Sequence, residues 1–356
     1  MTWFRQGQTG GDYSRQIQAA QNVYISEGVK PDEVVRISHE LIRAELDRFT
    51  QTARTEVERL SLEFLENYMM RQSRVAPESV ESLKRPDMQR TLQSAQISFT
   101  SCGDENLGQV LVDLLVELSR VQPRDFYAIA IAEAVALAPK VTTNQLDAMA
   151  FVYFVRNVEY QWEDLAQMRL EIARSWQPFF AKLDVDRSDL LHLASIGAGS
   201  FDISGKFFGE QICEQLPGLF TNGYKLREIP RWIRDEDLIM PAIRNPKLYQ
   251  LKAVDTDELL RQLELALLPE HGISPYHSLP AEAIRILKGN PILESLCKED
   301  LAGPLDNSKL VHSYCFNLFD GFELSVVGAV IAHTHIESVM GRLSNKTTID
   351  KIRASQ

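Results

Sequence analysis

His333 and His335, with Glu337 two positions on, are the residues whose types most suggest chemistry, because imidazole and carboxylate groups are the usual zinc ligands. The spacing argues against it. On a helix, residues two apart point about 200° away from each other, so both imidazoles cannot reach one ion. Glu337 shares a face with His333 alone, and one His with one Glu is too few ligands for a zinc site. No HExxH occurs. The expectation is an ordinary helix surface, with no metal and no cofactor.

Gly197-Ala198-Gly199-Ser200-Phe201-Asp202 begins like a dinucleotide loop, but Asp202 stands where the third glycine belongs. It reads instead as a turn between two helices. No GxxxxGK[ST] phosphate loop exists. Ser200 and Ser204 lie in no GxSxG elbow. Cys213 has Glu214 beside it, which raises a thiol pKa and does not activate it, and His192 lies 21 positions away. The acidic runs Asp235-Glu236-Asp237 and Glu299-Asp300 read as solvated loop charges. The best basic and aromatic cluster is Tyr224-Lys225-Leu226-Arg227 with Arg231-Trp232-Ile233-Arg234. Lys225, Arg227, Arg231 and Arg234 supply charge for a phosphate-bearing ligand, with Trp232 as a stacking surface. The acidic run that follows offers internal salt bridges as the alternative. The leaning is therefore away from an enzyme, with a site scattered through the sequence kept as an alternative.

Composition supports that leaning. A chain of 356 residues with a formal net charge of −11 does not carry the basic surface of a general nucleic-acid binder. Its hydrophobic fraction of 44% and charged fraction of 24% are those of a globular protein. The four cysteines are scattered and form no CxxC pair, as expected in a reducing compartment. The opening Met1–Gly7 has no basic region followed by an apolar stretch, and no run of about 18 apolar residues is present to span a bilayer. Cytoplasmic location is the expectation.

The elements that must position these residues are mostly helices. Tyr13 to Ile25 alternates with period two, with Ile17, Ala19, Val23 and Ile25 on one face and Gln16, Gln18, Asn22 and Tyr24 on the other, as a strand does. Asp32 then opens a helix of about 40 residues, with apolar positions at Ile42, Leu46, Phe49, Ala53, Val57, Leu60, Phe64 and Tyr68. Its apolar stripe suits either a domain spine or an oligomer contact, and Thr50-Gln51-Thr52 is where it could kink. Further helices follow from Pro86-Asp87 to Gly103, over 107–121, over 126–138, from Thr142 to about Val158, and over 165–183. Short loops between them imply antiparallel neighbours. From about residue 184 Pro and Gly become frequent and helices shorten. Helices are expected over 187–196, 206–215, 257–268 and 280–287, and short strands over 314–324 around Asp320-Gly321. Ser325 caps a final helix to about Leu343, which suits core packing better than a membrane surface because its polar face lacks Lys and Arg.

Two stretches resemble known sequences. Gly11-Asp12-Tyr13-Ser14-Arg15-Gln16-Ile17-Gln18-Ala19 through Val23-Tyr24-Ile25 is similar to a GDxSxQIQAxxxVxI segment that heads various bacterial proteins. Pro86-Asp87-Met88-Gln89, Val110-Leu111-Val112-Asp113-Leu114-Leu115, Pro139-Lys140-Val141-Thr142 and the closing Phe322-Glu323-Leu324-Ser325-Val326-Val327-Gly328-Ala329-Val330-Ile331-Ala332 resemble a little-studied family of bacterial helical proteins, of Legionella and Veillonella type. The closing stretch matches the family's FxLTxxGxxIA ending except that Ser325 and Val326 stand where the usual pattern has Thr and often Pro. The resemblance implies an all-helical bacterial protein, supplies no catalytic residues, and by analogy suggests a bacterial anti-phage defence setting.

The expected architecture is mainly α: a multi-helix bundle or stacked helical hairpins over 29–184, preceded by an amino-terminal β segment over 1–28 and followed by a smaller subdomain with short strands over 185–356. The amino-terminal strand has few strands of its own chain to pair with. Ile17, Gln18, Val23 and Ile25 are thus the candidate assembly residues, meeting copies of themselves or a partner edge. Pairing with the strands over 314–324, or a disordered leader, are the alternatives. The expected function is a non-enzymatic, self-assembling sensor or scaffold whose partners are itself and another protein. The alternative is a nucleotide- or nucleic-acid-binding effector working through 224–234.

Overall fold

The computed structural model describes residues 31–181, 183–202, 213–235, 237–267, 279–289, 291 and 318–354. The amino-terminal strand, with Ile17, Gln18, Val23 and Ile25, lies outside them, as do Ser204, Glu299 and Asp300 and most of the helix expected over 206–215. The chain divides into two compact units, Met1–Glu58 and Arg59–Gln356. The described residues are mainly α-helical, with two short antiparallel strand pairs.

Helix α1 runs from Pro31 to Val75, 45 residues. The hydroxyls of Thr52 and Thr55 donate back to the carbonyls of Arg48 and Gln51 at 2.9 and 3.0 Å, so these residues stay inside the helix. Within the second unit, Leu60, Phe64 and Tyr68 of α1 are buried, at 7%, 1% and 0% exposure. Phe64 meets Phe99 with ring centroids 5.4 Å apart.

Local signals set the boundaries of the next helices. Helix α2 (Pro86–Cys102) has Pro86 in its first turn, where no N–H is missed, and ends at Gly103, whose φ of +64° is strained for any other residue. Asp104 caps α3 (Glu105–Arg120) by accepting from the Leu107 N–H at 2.8 Å. Helix α4 (Phe126–Leu137) is apolar nearly throughout. Thr142 and Gln145 form a reciprocal capping box at the start of α5 (Thr143–Asn157). The single helix expected over 165–183 is two, α6 (Leu165–Ser175) and α7 (Gln177–Phe180). Pro178, which has no N–H and suits a first turn, lies at the start of the second. Asp186 and Asp189 box the start of α8 (Arg187–Ser195).

The Gly197–Asp202 stretch is not a turn between helices. It leaves α8 through Gly197 and enters strand β1 (Gly199–Phe201). The main core continues through this region, taking in Leu183, Val185, Leu190, Leu193 and Ala198. A second, smaller core gathers Ile229, Ile233, Leu251, Leu259, Ala283 and Leu287. Ile229 precedes α9 (Arg231–Asp235), and the others come from α9, α10 (Thr256–Leu267) and α11 (Leu279–Lys288), and from β3 (Tyr249–Leu251), which pairs with β2 (Ile239–Pro241).

Strand β4 (Phe322–Leu324) pairs antiparallel with β1, Gly199 opposite Leu324. Ser325 then caps α12 (Val326–Met340), accepting from the Gly328 N–H at 3.0 Å while its hydroxyl donates to the Gly197 carbonyl at 2.7 Å. A side chain on Gly328 would run into the Ala198 carbonyl, so the helix reaches its place only with glycine there. Phe322, Ser325 and Gly328 of the closing motif therefore act together as one joint. Helix α12 packs against α5, α4 and α3. The last helix, α13 (Thr348–Ala354), packs on α12.

Candidate functional site

The joint at Ser325 and Gly328 fixes where α12 presents its two histidines. Both are buried, His333 at 3% exposure and His335 at 4%, which corrects the surface position expected for them. The physical reason is the helix around them. Ala329, Val330, Ile331, Ala332 and Ile336 are buried, leaving no solvated face between them. The two rings diverge, as a two-residue step requires. His335 Nε2 lies 2.9 Å from Asp147 Oδ1, with its ring 5.4 Å from Phe179 in an edge-on contact. His333 Nδ1 lies 3.3 Å from the Tyr153 hydroxyl. Asp147 and Tyr153 both belong to α5, and their order is reversed against His335 and His333, so the two helices run antiparallel.

Around His333 a polar cluster converges from five helices. Glu117 comes from α3, Tyr127 from α4, Tyr153 from α5, Glu337 from α12, and Asp350 and Arg353 from α13. Arg353 Nη2 lies 2.9 Å from Glu117 Oε1, and its guanidinium sits 5.4 Å over the Tyr127 ring. His333 Nε2 is 3.6 Å from Glu337 Oε1, beyond hydrogen-bond reach, and has no hydrogen-bond partner among the described residues. Burial first, and the Arg353 charge second, push the His333 imidazole down to about 4. Burial also raises the Glu337 carboxyl, with Arg353 opposing, and lifts the Tyr127 and Tyr153 hydroxyls far above neutrality. At neutral pH the imidazole is uncharged and both phenols keep their protons.

The carboxy-terminal segment closes this cluster. Thr347 bridges to Val158, the Glu159 N–H donates to the Lys346 carbonyl at 2.9 Å, and Asn157 Nδ2 donates to Thr348 Oγ1 at 3.2 Å. Lys351 pairs with Glu159, and Ile349 is its fully buried anchor. The groups around His333 thus bind the last helix to the body. Sequence reading missed this cluster. The available signal was two histidines inside an otherwise apolar helix, where each must find an internal partner. Among the described residues no group of three or more His, Cys, Asp or Glu could hold a metal ion.

The basic and aromatic residues of 224–234 divide. Lys225, Arg227 and Arg231 are exposed. Trp232 packs against the second core and donates its indole N–H to Glu282 Oε2 at 3.0 Å. Arg234 is half-buried, and Asp237 pairs with Lys252 at 2.7 Å. The tryptophan and the exposed cations therefore have different surroundings, and the ring is engaged inside the fold. Ser200 is paired in β1 opposite Glu323, His192 lies 3.3 Å from Gln145 Oε1, and Cys213 lines a cavity of about 260 Å³ with Phe220 and Lys288. Two open clefts flank the segment 157–163. One, of about 1100 Å³, lies between α6 and residues 340–346, and the other, of about 900 Å³, faces the start of α10.

Comparison with known proteins adds one match. The model of a bacterial family described as Veillonella parvula-like, to which no activity is assigned, matches residues 28–349. No curated protein and no solved structure matches the chain. No helix among the described residues is long and apolar enough to cross a membrane.

Proposed function

The chain belongs to this bacterial family, and from that premise we propose that it is a self-assembling cytoplasmic scaffold or sensor, which works by binding copies of itself and another protein and not by turnover. Anti-phage defence is the setting this reading names. One observation carries it. Of the side chains best suited to chemistry, Glu117 and Tyr127 engage Arg353 of the carboxy-terminal helix, and Tyr153 engages His333 of the buried helix α12. Groups committed to holding a fold together are poor candidates for turnover, and what the molecule offers to others is its surface. The amino-terminal strand, with Ile17, Gln18, Val23 and Ile25, remains the proposed assembly element. The test is the solution mass of the full chain by light scattering over a wide concentration range. A concentration-dependent mass above that of one chain is expected, and a monomer throughout overturns the proposal.

A second reading keeps the exposed Lys225, Arg227 and Arg231 as a phosphate-binding patch. Its support is the proximity of three exposed cations in a chain of net charge −11. Absorbance at 260 nm retained through purification, and lost on charge reversal at Arg231, is the expected outcome if it holds. Protein free of such absorbance counts against it.

A further inference from the structure

The two clefts beside the segment 157–163 hold their charges differently. In the cleft of about 900 Å³, each described cation has an acid: Arg156 pairs with Glu323, Lys252 with Asp237, Arg261 with Glu258 and Lys351 with Glu159. In the cleft of about 1100 Å³, the exposed Arg174, Arg342 and Lys346 form no ion pair and no side-chain hydrogen bond among the described residues. The acids beside them are engaged elsewhere. Glu171 accepts from the Trp162 indole N–H at 2.6 Å through one oxygen and from Asn345 Nδ2 at 3.0 Å through the other, and Glu159 is the partner of Lys351. Of the described acids lining this cleft, Glu163 alone is left to oppose three positive charges. In a chain with 49 acidic and 38 basic side chains, this makes the cleft a local positive site on an acidic molecule.

Both walls of this cleft are tied down. One is a single face of α6, on which Gln167, Leu170, Glu171 and Arg174 follow at helical spacing. Gln167 Oε1 accepts from the Glu163 N–H at 2.9 Å, which fixes the chain entering that helix. The other wall is the segment after α12. Gly341, with φ +83°, turns the chain out of the helix, Ser344 donates to Asn345 Oδ1 at 3.1 Å, and Asn345 reaches across to Glu171. That last bond sets Lys346, the next residue, close to the α6 face that carries Arg174. The Arg342 charge is felt by the buried Glu337 but forms no ion pair with it. Leu170, which is 71% exposed, and the partly buried Met340 and Leu343 give the same cleft an apolar lining.

We propose that the cleft between α6 and residues 340–346 binds a small phosphate-bearing ligand, with Arg174, Arg342 and Lys346 taking the phosphate oxygens. A planar guanidinium presents paired donors that match phosphate geometry, so two arginines in one cleft favour phosphate over a single carboxylate. The volume is close to the range of about 300–1,000 Å³ usual for small-molecule sites, which combine an apolar lining with a few polar groups. A long polyanion such as nucleic acid would also meet the acidic remainder of a chain of net charge −11, whereas a small ligand meets the cleft alone. This site goes beyond the self-assembly reading and is separate from the patch at Lys225, Arg227 and Arg231.

The experiment titrates the full chain with inorganic pyrophosphate by calorimetry, at about 0.15 M salt so that distant charges are screened. Citrate is the carboxylate control, and circular dichroism checks folding. Wild type is expected to bind pyrophosphate, and citrate more weakly. Arg342→Gln, which lies outside any helix, should weaken pyrophosphate by about tenfold, and Arg174→Gln with Arg342→Gln by about a hundredfold. Lys252→Gln, in the neighbouring cleft, and Arg231→Glu, in the other basic patch, should bind as wild type does. Wild type that gives no binding overturns the proposal. Binding that Arg342→Gln leaves unchanged overturns this site, and its loss in Arg231→Glu would assign it to the other patch. Equal weakening by Lys252→Gln shows a general charge effect and overturns the site as well. Citrate bound as tightly as pyrophosphate overturns the assignment to phosphate.

Discussion

Helices α1 and α12 are opposite cases of the same rule. Helix α1 has a regular apolar stripe, of which Ala53 and Val57 are exposed while Leu60, Phe64 and Tyr68 are buried. Helix α12 carries two histidines in its middle, yet it is among the most deeply buried segments of the chain. Periodicity tells which face of a helix seeks cover, and the balance of apolar and polar residues around the whole circumference tells how deep it lies. A polar residue on a deep helix does not bring it to the surface. It brings a partner in, as Asp147 does for His335 and Tyr153 for His333.

The sharpest way to break this comparison is at a buried position of α1. Phe64→Ala removes a fully buried ring that packs on Phe99, and should cost about 3–5 kcal/mol of unfolding free energy in denaturant titration. A loss under about 1 kcal/mol would show that Phe64 is no better packed than the exposed Val57.

The histidine of α12 comes next. Its imidazole sits near 4 in the folded chain against 6.5 in the unfolded one. The unfolded chain therefore takes up a proton first as pH falls. The stability contribution is complete above 6.5 and is lost as pH drops from 6.5 to about 4, by about 3 kcal/mol at most. Glu337, raised by burial, acts in the opposite sense, favouring the folded state at low pH and losing that contribution as pH rises through its folded value. The His333→Gln variant should remove only the histidine part. Its unfolding midpoint should fall less steeply than that of wild type between pH 6.5 and 4.5, and parallel curves would show that the ring is not held neutral. Asp147→Ala should follow with about 1–3 kcal/mol at neutral pH, since it strips the buried His335 of its acceptor.

Much of this fold was legible in the sequence because its signals are local. Thr142 with Gln145, Gly103, and Ser325 each mark a helix end within four residues of the atoms they satisfy. The polar cluster was not legible because Glu117, Tyr127, Tyr153, His333 and Arg353 meet only when five helices pack. Gly197–Asp202 was misread for the same reason. Its strand partner, Phe322–Leu324, is more than a hundred residues away, so nothing nearby distinguishes a turn from a strand. Trp232 looked free because its acceptor, Glu282, is 50 positions on. In each case the type of residue was informative and its partner was remote.

The smallest expected effect is at Val57, an exposed position of α1. Val57→Gln keeps helix propensity and removes only the apolar surface of a side chain that is 45% exposed in the single chain. Measured at a concentration where wild type is a monomer, it should change the unfolding free energy by no more than about 0.5 kcal/mol, the usual range for a surface position. A Val57→Gln loss as large as that of Phe64→Ala at high dilution would mean that Val57 is already packed within one chain, and the contrast between it and Phe64 would vanish.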